Sequence, residues 1–291
     1  MKHATIIPSK DRSHLLLRYA DLPARRFNHP IFNTKLWVSE KEYDTYKKVV
    51  DELRLEHVEL IADDHANIAE CRQNILMYCH EHGYDYLFSP DDDVRFHARE
   101  SNWKVVPLEL EENVNLFNHM SSICSTEVPL VSLRYRFMVQ NCNTAYEKNY
   151  KIIILYFVHV PTLVNNGVSF KHEGFQFYED KYMQLQLYSK GFRSCTSSMY
   201  ATSQRQPDNT EGGCFAYRNI EEANRHSRIM HEEWPEYSKL VIKNSWKEGP
   251  RLENIWYFKK FLKPDELRYF PKEQMERFMG REGAYRLEVP V

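Results

Sequence analysis

The chain has almost no net charge: 39 Lys and Arg stand against 41 Asp and Glu, a formal −2 over 291 residues. No global field therefore draws it to nucleic acid or to an anionic membrane, and any polyanion it binds must be met by a local patch. It lacks a CxxC pair and any His/Cys spacing of a zinc site; its cysteines are Cys71, Cys79, Cys124, Cys142, Cys195 and Cys214. Cys71 and Cys79 fall about two turns apart in one helical stretch, too far for a disulfide, so reduced, buried thiols are expected. There is no long apolar run: the longest, residues 151–160, is far too short to span a bilayer. A first strand starting almost at Met1 leaves no space for a signal segment, and a soluble, cytoplasmic protein is the expectation. HExxH is missing, which removes zinc proteolysis; His226 and His231 read as ordinary surface or partly buried histidines, with one of them as a late ligand in a metal shell as the alternative. Internal repeats, low-complexity stretches and long linkers are missing too.

What is present is a strand–helix rhythm. Residues 4–7, 36–38, 58–62 and 84–88 read as short buried strands, and residues 13–19, 40–53 and 67–82 as the helices between them. Ser39 suits a helix N-cap and Gly83 a helix stop. Such alternation predicts an α/β fold with a largely parallel sheet, helices on both faces, and ligands at the carboxyl ends of the strands. From about residue 109 the pattern becomes β-rich (130–138, 151–160, 193–202), with helices at 114–123, within 174–191 and at 220–232. The polar stretch 204–213 reads as a loop. Residues 1–250 form one expected domain, with a nucleotide-binding half (1–108) and an acceptor half (109–250), and residues 251–291 a C-terminal helical extension whose last helix starts near Pro264.

The most informative stretch is residues 84–94, where a buried strand ends in Asp91, Asp92 and Asp93. Three like charges at the tip of a buried element need compensation, which a hard divalent cation such as Mg²⁺ or Mn²⁺ supplies through oxygen ligands; a solvated acidic turn is the alternative. Pro8, Ser9, Lys10 and Arg12 follow the first strand on the same predicted edge, Asp63 and Asp64 close the third, and Arg72 lies one turn inside the next helix. A second acidic pair, Glu179–Asp180, opens a helix, where it serves either as a cap or as a general base. Arg134, Arg136 and Arg218, set among aromatics, suit a nucleic-acid backbone and an unstacked base. Gly212–Gly213 suits close backbone approach to a ligand. Lys239, Lys243 and Lys247 recur at one-turn spacing as a basic row, which is also the pattern of a solvated helix face.

These landmarks, in this order, resemble the GT-A glycosyltransferases. Residues 6–12 look like their nucleotide-binding loop, residues 67–74 like their Ala-Arg-Asn helix with Cys and Gln as departures, Asp91–Asp93 like their DxD motif, and Glu179–Asp180 like their acceptor-side Glu-Asp motif. Within that fold, the run from Glu179–Asp180 to Gly191, Gly212–Gly213 with Arg218, and Trp234–Pro235 resemble the phage-type TET-associated glycosyltransferases, which act on hydroxymethylated pyrimidines in DNA. The resemblance covers roughly residues 3–250. It implies a UDP-sugar donor (glucose or a pentose such as arabinose), Mn²⁺ or Mg²⁺ held by Asp91 and Asp93, and a nucleotide cradled by Pro8, Ser9, Arg12, Asp64, Arg72 and Asp92. It further implies Asp180 or Glu179 as base, and 5-hydroxymethylcytosine in DNA as acceptor, gripped by Arg134, Arg136, Gly212, Gly213, Arg218 and Lys243. Transfer to a polysaccharide or protein, a metal-dependent phosphoesterase or nuclease, and a non-catalytic binding module are the competing readings.

Overall fold

The computed structural model describes residues 2–100, 104–139, 142, 144–174, 176–204, 219–244, 249–271 and 273–274. A ten-stranded sheet runs through them in the order β3-β2-β1-β4-β9-β7-β10-β5-β6, with β8 paired to β10. The first half is all parallel: β1 (His3–Pro8) lies between β2 (Thr34–Val38) and β4 (Tyr86–Pro90), and β3 (Val58–Ala62) pairs with β2. β1, β2 and β4 are buried at every position, which is why they read as continuous apolar runs rather than alternating ones.

The second half is mixed. β9 (Leu155–His159) is antiparallel to both β4 and β7 (Leu130–Tyr135), and β10 (Ser194–Gln204) is parallel to β7. On its other edge β10 meets β8 (Tyr146–Lys148) and then β5 (Val94–Arg99), both antiparallel, and β6 (Val105–Pro107) closes the order. The two halves of the expected division thus share one sheet.

Helices cover both faces. On one, Ile75 and Leu76 of α4 (Ile68–Glu81), Leu163 of α7 (Val160–Asn165) and Leu185 of α8 (Glu179–Ser189) pack over Ile6, Leu87 and Tyr156. On the other, Leu116 and Phe117 of α5 (Asn113–Ile123) close over Phe88, Val131 and Phe157. Cys71, Cys79, Cys124 and Cys195 are buried free thiols. Among the described residues, no helix is long and apolar enough to cross a membrane.

α4 carries the next part of the site and is well specified locally. The Asn67 side chain accepts from Glu70 N at 3.1 Å, and Glu70 Oε2 accepts from Ala66 N at 2.9 Å. Gly83 follows at φ 66°, in the left-handed region that ends helices. Asn67→Ala is expected to cost about 1 kcal/mol, read as a shift of a few degrees or less in the melting temperature.

Two expectations are corrected. Two residues of the expected basic helical row, Lys239 and Lys243, lie on a strand, and Lys247 lies outside the described residues: β11 (Ser238–Lys243) forms a hairpin with β12 (Arg251–Trp256). The run Leu240-Val241-Ile242 suits a pleated strand, and hairpin pairing overrides the one-turn spacing of the lysines. The C-terminal extension begins with β12 and a 3-10 turn at Phe258–Phe261; residues 262–271 hold turns and bends, and helical backbone appears at residues 273–274 rather than from Pro264. β12 is bound to α9 (Ile220–Glu233) by Leu252 N on Asn224 Oδ1 at 2.6 Å and Asn254 Nδ2 on Ser227 O at 2.9 Å.

Candidate active site

The carboxyl ends of β1 and β4 open on one cleft of about 370 Å³, as the parallel topology dictates. Pro8, Ser9 and Arg12 line it from the turn after β1, Asp91 and Asp92 from the end of β4, Arg72 from α4, and Glu179 and Asp180 from the start of α8. The acidic triplet is compensated by arginine. Arg12 Nη1 lies 2.7 Å from Asp92 Oδ1 and 3.4 Å from Asp93 Oδ2. Burial alone would lower the Arg12 guanidinium, but Asp92 and Asp93 raise it above its ordinary value. Ser9 Oγ donates to Asp92 Oδ2 at 2.5 Å and meets Tyr46 Oη at 2.7 Å, which fixes the turn against the carboxylate.

Arg72 joins the two acidic foci. Its Nη2 donates to Asp91 Oδ1 at 2.6 Å, and its Nη1 to Glu179 Oε1 and Tyr156 Oη. Burial raises the Asp91 carboxyl although Arg72 opposes it. A planar fork that serves three acceptors is a task for Arg rather than Lys. Arg72→Lys is expected to cost about 1.5–3 kcal/mol through the hydrogen bonds it forfeits, measured by urea unfolding.

Asp93 differs from its neighbours. It is 1% exposed, and neither of its oxygens has a well-formed hydrogen bond among the described residues. Burial, then the charges of Asp92 and Asp91, push its carboxyl up to about 7. No three His, Cys, Asp or Glu side chains among the described residues are arranged as a ready metal cage. The donor chemistry still fits a hard divalent cation: adjacent carboxylates at a strand end, one of them buried with two unsatisfied oxygens.

At the start of α8, Glu179 is 5% exposed and held by Arg72, whereas Asp180 is more open to the cleft. Burial would raise the Asp180 carboxyl, but Lys181, by charge and hydrogen bond, and then Arg72 hold it below the ordinary carboxylate range. Lys181 is itself anchored by donating to Ile152 O at 2.7 Å. Tyr178, at φ 79°, makes the turn that brings both carboxylates to the cleft.

The remaining sequence expectations fare differently. Asp64 is exposed and is not part of the cleft wall; Asp63 beside it accepts from Trp37 Nε1 at 2.9 Å and Asn74 Nδ2 at 3.0 Å, a structural role. Arg134 is buried, donating to Ser198 Oγ at 3.0 Å and to Glu147, and Arg136 is exposed at the start of α6 (Arg136–Val139), away from the cleft. Lys243 pairs with Glu253 across the hairpin. Gly212, Gly213 and Arg218, with the 205–213 part of the expected loop, lie outside the described residues. Sequence reasoning missed Lys151, Lys181 and Gln204, which also line the cleft. Of these, only Lys181, adjoining the Glu-Asp pair, carries a local signal.

No curated protein matches the chain. Among solved structures, a mannosyltransferase of Pyrobaculum calidifontis, described in complex with GDP-Man and Mn²⁺, is 12% identical over 79% of this chain and 64% of that one, with a TM-score of 0.50. Residues 1–349 of TarS from S. aureus are 11% identical over 69% and 59%, with a TM-score of 0.47, and the same TarS residues in complex with UDP are 13% identical over the same shares. The chain spans less than two thirds of the length of these structures. The mannosyltransferase likeness supports the α/β fold, a mixed sheet flanked by helices. A sequence profile of the TET-associated glycosyltransferases matches residues 3–213 and so takes in β1, the acidic triplet and the Glu179–Asp180 helix: the chain belongs to this family.

Proposed function

We propose that the protein transfers a sugar from a UDP-sugar to 5-hydroxymethylcytosine in DNA. The observation that carries the reading is the convergence of two acidic foci on one cleft through a single residue, Arg72, which touches both Asp91 and Glu179. One focus suits the donor diphosphate, and the other suits the acceptor hydroxyl.

In this reading Pro8, Ser9 and Arg12 lie against the nucleotide. As the phosphate groups arrive, Arg12 and Arg72 can exchange part of their carboxylate pairing for phosphate oxygens, which guanidinium forks match well. Asp91 and Asp93 would hold Mn²⁺ or Mg²⁺, which when bound supplies positive charge against the developing charge of the leaving diphosphate. Asp180 is the base we favour. It is ionised near neutral pH, faces the cleft, and is restrained by Lys181 so that its free lone pairs keep one direction. Glu179, shielded and tied to Arg72, orients rather than accepts the proton.

The test is incubation of the protein with Mn²⁺, a panel of UDP-sugars and DNA with or without hydroxymethylcytosine, followed by nucleoside mass measurement. A hexose or pentose adduct on the modified DNA alone is expected. Strand breaks without a sugar nucleotide would replace this reading with a nuclease. UDP release that requires a glycan or protein would move the acceptor out of nucleic acid.

A further inference from the structure

Beside β8 and β12 lies a second cleft, of about 330 Å³, which the transfer chemistry does not use. Lys151, Lys259 and Arg268 line it, but among the described residues only one carboxylate, Glu147, does so. Glu147 is 1% exposed and shared among three cations: Arg268 Nη2 at 2.6 Å, Lys259 Nζ at 2.9 Å and, from the sheet side, Arg134. The pairing leaves positive charge in excess. Burial pushes the Lys259 ammonium down to about 8, with Arg268 and Arg134 adding to the effect against the pull of Glu147.

A second observation is independent of charge. Asn149, also 1% exposed, lines the cleft and accepts from Ser194 N through Oδ1 at 3.2 Å, while its Nδ2 has no acceptor among the described residues. A buried amide donor without a protein partner needs an acceptor, which a water or the oxygen of a ligand in the cleft can supply. The cleft also carries flat surfaces: Tyr150, with Arg134 over its ring at 4.1 Å, and Trp256, parallel to Phe258 at 5.9 Å. Arg268 is more than half exposed and Lys151 is exposed, so both heads remain within reach of an incoming group. Lys151 lines both clefts, so an occupant of the second adjoins Asp180.

We propose that this second cleft binds a phosphodiester of the acceptor strand, a proposal that rests on the nucleic-acid reading above. Lys151 and Arg268 contact the phosphate, Asn149 donates to one of its oxygens, and Tyr150 and Trp256 support a neighbouring base. A lone carboxylate ligand would leave the aromatic walls without a role.

The experiment is fluorescence anisotropy with a labelled, unmodified deoxyoligonucleotide across a salt series, using full-length wild type, Lys151→Gln, Arg268→Gln and the charge-matched control Lys260→Gln, whose side chain lies outside the cleft. Lys151→Gln and Arg268→Gln are each expected to weaken binding several-fold and to reduce the salt slope by about 0.7, the value for one single-strand phosphate, while Lys260→Gln leaves both unchanged. Should Arg268→Gln fail to fold, Ile255→Glu, exposed on the wall of this cleft alone, places a negative charge there and is expected to weaken binding likewise. Wild-type binding that all three variants share in affinity and slope would overturn the cleft and leave the acceptor reading standing, because adduct formation is scored separately. If wild type binds no oligonucleotide, the cleft proposal fails, and the acceptor reading is decided by adduct formation alone. Competition by inorganic phosphate at equal concentration would overturn the phosphodiester, and preference for an oligoribonucleotide would overturn DNA as its source.

Discussion

Asp93→Asn should lose sugar transfer by roughly a thousandfold or more while melting at a higher temperature than the parent. The two effects have one origin. Asp93 is buried beside two like charges; its oxygens make no full hydrogen bond among the described residues, and Arg12 at 3.4 Å and Gln204 only partly offset the repulsion. Its folded carboxyl stands at about 7 against an ordinary 3.8. A group raised in this way contributes stability that is complete below pH 4 and is lost as the pH rises through 7, since the folded state must then carry the charge. The amide mimics the protonated acid and escapes that loss. The gap in melting temperature between variant and parent should therefore be absent near pH 4, widen to pH 7 and level off above it. Mn²⁺ added at pH 8 should stabilise the parent more than the variant and so narrow the gap. Calorimetry over that pH range checks the sign. A variant that melts below the parent at pH 8 would mean that the carboxylate is a structural partner rather than a ligand held in reserve.

Asp180→Asn is expected to reduce kcat by about a hundredfold to ten thousandfold with KM for the donor little changed, the usual range for a lost general base. Because Lys181 and Arg72 hold the Asp180 carboxyl below the ordinary range, its protonation should not limit the parent's rate until acid pH, whereas a loss through protonation of Asp93 should set in below about pH 7 and be relieved by higher Mn²⁺. Glu179→Gln should behave differently: its main cost is the loosened Arg72, which appears in folding stability and in KM together. Rate profiles from pH 4 to 8 on both variants separate the two carboxylates. Equal losses, or a larger loss in kcat for Glu179→Gln, would exchange their roles.

The parallel part of the sheet is legible in the sequence because β1, β2 and β4 are buried on both faces; β3, of which only Val58 is buried, still has the bounds its apolar run predicts, and α4 agrees to within a residue or two. The acidic triplet and the Glu179–Asp180 pair are visible because charge at the end of an apolar run is conspicuous. β5 is harder to find, although Val94, Phe96 and Ala98 alternate as a strand requires, because the triplet directly before it reads as the start of a loop. Charged residues are the hardest to place. Arg134 looks like a free cation, yet its partner Glu147 comes to it only when β7 and β8 flank β10. The span from Arg72 to Glu179 likewise depends on the assembled sheet, and no local spacing encodes it.

β10 slips its register against β7 between Ser197 and Ala201, where Met199 N turns in to Ser197 Oγ at 3.2 Å. That irregularity sets the chain's tolerance to gain or loss of residues. Side chains alternate along a strand, so removing one residue there would exchange the inner and outer faces of everything after it and draw Gln204 away from Val94 and the cleft wall. Relatives that keep this cleft should therefore vary in length on either side of β10 and hold its internal count fixed.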